Sequence, residues 1–504
     1  MSTTDSGRWR RTSPFAILFF FGRIFRLIAK NAWQSLAPLV ALLVAYEGNI
    51  VNKLIFASIG FSVFISAAAL LSYWFFRFRI SADSVLIRHG VFKKKQLDIK
   101  FDRLQGINTE QGLIYRLLGL VTVNFDTAGS TGNEGNLPAV TQRFADSLRA
   151  RLEAPSPAHI TNGEGEDKQS ETRTDELVRF DWRDMLRIGL ADRRALIVFA
   201  VIGPFIERID DHIERYLATL VDIAAVNGVE LDGISGISIA VAVFFTVVFL
   251  FIVVSIAAAF LRYNNFRLLL QGKTLRSHAG LLTAYEHSMD LGKIQTLRLQ
   301  QGVALRLMKR FQLTAHQAIS ARKGRRKAFE VPVITAEIGD ALHSRFLAPD
   351  GGRLSLNPAS SGFVAISPYS VRSKILFAGL LPALLATVVL MKPLGSLALF
   401  FLLWLPIVAA AAYQNWKRAG YVHDDEEIIR RSGLLGYRTV SLLFRKVQRV
   451  TVSQSRYQRR KQLATLQMYL ASGSVKVPYI KHEKAKQLRD YILYKVETSR
   501  KAWH

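Results

Sequence analysis

The 504 residues include no cysteine. That absence excludes a disulfide framework, a thiolate metal site and a cysteine nucleophile, and it fits a cytoplasm-facing protein. Acidic residues are scarce: 39 Asp and Glu stand against 67 Lys and Arg, a formal net charge of +28. Enzyme signatures are missing as well. There is no HExxH zinc helix and no GxSxG nucleophile elbow. Gly272-Lys273-Thr274 ends like a phosphate-binding loop, but Arg267 stands where that loop needs its first glycine. Gly129, Gly132 and Gly135 miss the dinucleotide spacing. His423-Asp424-Asp425-Glu426-Glu427 gathers metal-binding residue types, yet consecutive residues of a turn diverge, so a solvated turn is the better reading. No catalytic residue, cofactor or metal site is expected.

Half the residues are hydrophobic despite the charge, which points to apolar blocks in lipid and basic blocks in water. A membrane span needs about 20 mostly apolar residues. Leu54 to Phe76, Ile237 to Leu261, Ile375 to Met391 and Leu394 to Tyr413 qualify, the last two turning at Lys392-Pro393. Trp33 to Tyr46 is short, and Ala195 to Ile206 is kept because the other hairpins predict it. The expectation is six transmembrane helices in three hairpins, at 31–76, 185–261 and 371–413. Residues 14–30 read either as an amphipathic helix in the interface or as the start of the first span. The loop 207–236 is acidic, whereas Arg77, Arg79, Arg262, Arg267, Lys417 and Arg418 follow the even-numbered spans. By the positive-inside rule both termini and the large polar segments are cytoplasmic, in a multi-pass inner-membrane protein. Few charges interrupt the spans, which argues against an ion pathway.

The polar segments repeat. Each opens on a short apolar stretch ending in a glycine: Gly90, Gly280, Gly433. Fifteen residues on comes a glutamine, Gln105, Gln295 or Gln448, preceded by a base and an aliphatic, as in Arg103-Leu104, Lys293-Ile294 and Lys446-Val447. Six further stands Gln111, Gln301 or Gln454, and five beyond that Arg116, Arg306 or Arg459. Each copy closes on Leu137-Pro138, Val331-Pro332 or Val477-Pro478 and then a helical pattern. Identical spacing at several landmarks in three copies indicates internal duplication of a whole domain. Alternating segments such as Val121 to Phe125 and Leu466 to Leu470 read as strands. Each copy is therefore expected to be a small β-barrel capped by a C-terminal helix, at 77–152, 262–347 and 414–497, with linkers at 153–176 and 348–362.

Spans followed by [R/K]-[LIV]-Q, Q-[GS]-x-x-x-R and a [VL]-P strand resemble the bacterial pleckstrin-homology-like domain of membrane proteins, over all three repeats. The resemblance implies a bent seven-stranded barrel with a C-terminal helix and no defined activity. The middle copy departs most, inserting residues 321–327, and Ser455 replaces the glycine of the other copies. The repeated Gln and Arg have a structural reading, as caps where strands bend and as solvated turn residues, beside a functional one. Basic clusters suggest sites for anionic headgroups or a protein partner: Lys93, Lys94, Lys95, Arg103 and Arg116; Lys293, Arg306, Arg322, Lys323 and Arg325; Lys446, Arg459 and Arg460. Near an anionic leaflet each contributes about 1 kcal/mol, although positive-inside bias alone explains such clusters. The leading expectation is a non-enzymatic membrane scaffold, possible as a homo-oligomer. A transport or export component and an accessory subunit of a membrane enzyme are the alternatives. Nucleic acid is disfavoured, because stacking aromatics are not interleaved with the charge.

Overall fold

Period-two alternation makes each copy a set of short antiparallel strands. The computed structural model describes residues 8–30, 50–81, 83–91, 93–101, 104–127, 135–153, 174–192, 236–317, 328–347 and 354–499. In the first copy β1 (Arg77–Ile80), β2 (Ser84–His89) and β3 (Lys95–Lys100) form one sheet. β4 (Leu104–Gln111), β5 (Leu120–Thr127) and β6 (Gly135–Thr141) follow in another, closed by helix Gln142–Glu153. The second copy has β7 (Thr174–Arg179), β8 (Arg267–Gln271), β9 (Thr274–Ala279) and β10 (Ala284–Asp290), then β11 (Ile294–Gln300), β12 (Phe311–Gln317), β13 (Phe329–Ile334) and helix Ala336–Phe346. The third has β14 (Val364–Ala365), β15 (Gly420–His423), β16 (Glu427–Ser432) and β17 (Arg438–Leu443), then β18 (Arg449–Ser453), β19 (Leu463–Leu470), β20 (Gly473–Lys481) and helix His482–Thr498. Each copy has its own apolar core, built in the first around Ile99, Val123, Phe125, Leu137 and Leu148, all buried. Burying each such side chain contributes roughly 1.5–3 kcal/mol.

The sheets do not close copy by copy. Each copy's second half-sheet runs on into the next copy's first. One seven-stranded sheet has the order β6-β5-β4-β10-β9-β8-β7 and another β13-β12-β11-β17-β16-β15-β14. Three-stranded sheets, β1-β2-β3 and β18-β19-β20, stand at the two ends. The three domains are therefore a row joined by shared sheets, and pairing with a neighbour protects edges that barrel closure was expected to protect.

The expected six transmembrane helices need correction. Among the described residues two helical stretches are long and apolar enough to cross a membrane, Phe245–Tyr263 and Tyr369–Arg418. The apolar helix Ser58–Trp74 is shorter. The spans expected at 33–46 and 195–206 lie outside the described residues. Within Tyr369–Arg418 the chain turns at Gly395, whose φ is 55°. The arms are tied where Trp404 Nε1 donates to the Ala378 carbonyl at 2.9 Å and Lys374 Nζ to Asn415 Oδ1 at 2.9 Å. Most of the large apolar side chains on these stretches point outward, among them Phe249, Val388 and Phe400.

Each copy also begins earlier than its hairpin. Arg10 bridges to Phe78 of β1, as β7 pairs with β8 and β14 with β15. A helix follows each of these: Ala16–Lys30, Trp182–Ala191 and Tyr369–Lys374. Ala16 and Phe20 are buried in the first core, with the Phe20 and Phe76 rings 5.5 Å apart. The expected linkers are accordingly shorter. Residues 174–176 belong to β7, and Leu356 is fully buried, its carbonyl accepting from Thr439 Oγ1 at 2.8 Å.

Candidate functional site

The landmarks of the repeat become positions in this row. Gly90, Gly280 and Gly433 take φ of 108°, 113° and 153°. A Cβ there would lie 2.1, 2.0 and 2.0 Å from the carbonyl oxygens of Lys93, Thr283 and Gly436, so only glycine fits the turn. Gln111, Gln301 and Gln454 each donate Nε2 to the carbonyl nine residues on, Leu120, Arg310 and Leu463, at 3.0, 3.1 and 2.7 Å. They fasten the strand that leads into the short helices Leu113–Leu117, Val303–Leu307 and Arg456–Arg460.

The repeated bases bridge domains. Arg116 donates to the Leu281 carbonyl of the second copy at 3.2 Å, and Arg306 to Leu435 of the third at 2.7 Å. In the other direction Lys293 reaches back to the Leu104 carbonyl at 2.8 Å, and Lys446 to Gly292 and Ile294 at 2.5 Å each. Lys446 is 2% exposed. Burial, reinforced by Arg445 and opposed by Asp290, pushes its pKa from 10.5 down to about 8. Between these two values the unfolded chain holds a proton that the folded chain has lost. Stability therefore rises with pH across that window. We expect thermal melting of the full chain to move up between pH 7.5 and pH 9, and Lys446→Met to lose that rise.

A cluster of polar side chains is buried at each junction. Arg149 lies 2.6 Å from Glu286 Oε2, which also accepts from Thr109 Oγ1 at 3.0 Å. At the second junction His343 Nε2 is 2.9 Å from Glu427 Oε2, which accepts from Ser441 Oγ at 2.7 Å. Arg149 and His343 stand at one place in the repeat, eleven residues after Pro138 and Pro332. Sequence reasoning missed them. The usable signal was a polar residue held at constant distance from the proline, next to the buried Leu148 and Leu342. Among the described residues no three His, Asp or Glu gather in a way that would hold a metal ion.

The short helices sit beside the opening helix of each copy. Tyr115 donates to the Phe15 carbonyl at 3.2 Å, at the foot of helix Ala16–Lys30. The loop held by Arg116 touches the end of an apolar helix, with the Leu281 amide donating to Leu261 at 2.9 Å. In the third copy the Tyr457 ring meets Tyr369 edge-on at 6.2 Å, and Lys461 Nζ lies 5.2 Å above that same ring, where the stretch Tyr369–Arg418 begins. At their outer tips the helices present Leu117 at 88% exposure, Leu307 at 82% and, in the third copy, exposed Arg460.

The basic residues singled out from sequence thus scatter. Arg116, Lys293, Arg306 and Lys446 serve the junctions; Arg459 and Arg460 are exposed on the third short helix; Lys93, Lys94 and Lys95 are exposed where the chain enters β3. Arg103, Arg322, Lys323 and Arg325 lie outside the described residues.

Comparison with known proteins agrees with the threefold repeat. Residues 20–156, 219–344 and 376–496 each match the family described as Bacterial PH domain. Among curated proteins the chain is similar to the UPF0699 transmembrane protein YdbT of Bacillus subtilis (strain 168). The two are 23% identical over 428 residues, covering 82% of this chain and 83% of the relative. No solved structure matches.

Proposed function

Since the chain belongs to the bacterial PH domain family, we propose that it is a non-catalytic membrane scaffold whose three domains lie against the cytoplasmic face of the bilayer. One observation carries this reading: the three short helices share a place in the fold beside the opening helix of each copy, and their exposed tips are chemically suited to an interface. Leucines in the first two copies would enter the acyl boundary, while Arg456, Arg459, Arg460 and Lys461 in the third would sit among anionic phosphates. Three such contacts on one row joined by shared sheets act at high effective concentration, so each one needs only modest affinity.

The test uses the full chain, because the third domain shares its sheet with the second. Protein reconstituted in mixed neutral and anionic nanodiscs is re-extracted, and the retained phospholipid is measured by mass spectrometry. Arg459→Glu with Arg460→Glu and Lys461→Glu should lower retained anionic lipid by about tenfold or more, given about 1 kcal/mol per cation. Retention equal to that of the parent protein and indifferent to salt would remove the headgroup reading.

A further inference from the structure

Both internal junctions follow one pattern, and among the described residues the first and third copies each hold one half of it without the other. At the first junction Tyr285 of β10 pairs with Glu110 of β4, and Glu286 with Thr109. At the second Arg438 of β17 pairs with Gln300 of β11, and Thr439 with Leu299. Counted from Gly280 and Gly433, Tyr285 and Arg438 are the same position, so the antiparallel register is identical. The strand preceding the basic-aliphatic-Gln motif is β3, β10 or β17, and the one following it is β4, β11 or β18. Four of these six strands meet at the two junctions. Among the described residues the remaining two, β3 and β18, each have a sheet neighbour on one side only.

We propose that a second copy of this chain docks head to tail, β18 of one copy pairing antiparallel with β3 of the next. The internal junctions dictate the register. Lys95 faces Ser453, Gln96 faces Val452, Leu97 faces Thr451, Asp98 faces Val450 and Ile99 faces Arg449. Charge on these strands is no bar, since Arg438 and Glu286 lie within the paired strands of the internal junctions.

Side chains outside the strands agree. Thr439 and Ser441 are fully buried under the preceding domain; Gln96 and Asp98, in the same places on β3, are exposed. Ser441 lies 3.1 Å from His343 on the helix of the domain before it. In the third copy that helix position is Arg489, eleven residues after Pro478. Arg489 is half-buried and bonds its chain neighbour Asp490 at 2.8 Å. Docking brings Arg489 of one copy to Asp98 of the next, which holds the place where Ser441 meets His343 at the second junction; at the first junction Arg149 meets the carboxylate of Glu286, two residues earlier on the equivalent strand. Such a contact is heterologous and generates a ring if its rotation closes or a filament if it does not.

Facing residues on antiparallel strands have Cα atoms about 4.5–5.5 Å apart, within disulfide range. The absence of native cysteine makes a clean experiment possible. Full chains carrying Lys95→Cys alone and Ser453→Cys alone are co-expressed in membranes and mildly oxidised. A dimer that needs both variants is expected, and a chain carrying both substitutions should give a ladder. Lys95→Cys with Arg449→Cys, at the far end of β18, should link at least tenfold less. Asp98→Arg should abolish the dimer, and Arg489→Asp on the other copy should restore it. No mixed dimer, equal linking by the misregistered pair, linking of Lys95→Cys to itself, or capture of a different protein instead would each overturn the proposal. None of these readouts depends on headgroup binding, so the two readings can fail separately.

Discussion

Gly436→Ala should pry the second and third domains apart. A Cβ at that position would lie 1.9 Å from the Gln301 carbonyl oxygen and 2.8 Å from its carbon. Both obstacles are backbone, so no rotamer change relieves them. They belong to the end of the shared sheet, where the Gln301 amide donates to Tyr437 at 2.8 Å. Ordinary overpacking costs about 1–3 kcal/mol because side chains can yield; a collision between two strands should reach or exceed the top of that range. The expected result is a lower melting temperature for the full chain, with faster amide exchange confined to β11 and β17. Gly112→Ala serves as the control, since nothing lies within 4 Å of its Cβ and its φ is −70°. Equal melting of Gly436→Ala and the parent protein would contradict the shared sheet.

The repeat was legible because several of its landmarks are demands on the backbone. Glycine is required where a carbonyl passes 2.0–2.1 Å from a would-be Cβ, and glutamine where a carbonyl nine residues away needs a donor. Such demands are local, so they recur at constant spacing. The strands were legible for the same reason, through alternation. What β4 or β11 pairs with is not local. Leu104 to Gln111 reads the same whether its edge closes a barrel or meets Ala284 to Glu286 of another domain. The closed barrel was therefore the natural expectation, and a shared sheet was invisible. The basic residues suffered likewise: weighing Arg116 between a headgroup and a solvated turn leaves out a carbonyl 165 residues away. Of the six expected spans, those at 33–46 and 195–206 lie outside the described residues; within the described residues two apolar stretches are long enough to cross a membrane, the second of them holding two expected spans that turn at Gly395.

Arg149→Leu should be the most damaging single change at the first junction. It leaves the Glu286 carboxylate, 8% exposed, with the Thr109 hydroxyl and with His278 3.8 Å away. Removing one member of a buried ion pair typically costs about 3–5 kcal/mol, because the other is stranded without solvent. The converse follows from the same physics. Arg149→Leu combined with Glu286→Leu removes both charges and their desolvation cost, and the pair should recover most of the lost stability. A double-mutant cycle on full-chain melting separates this from a general packing defect: a coupling of about 3 kcal/mol or more is expected, and additive losses would mean that the two groups do not act as a pair. The cycle also bears on the free end of the row. At the same helix position Arg489 is only half-buried and Asp98 waits on β3 of another copy, so the charge that is paired at an internal junction when buried is the one that would select the next chain when it is not.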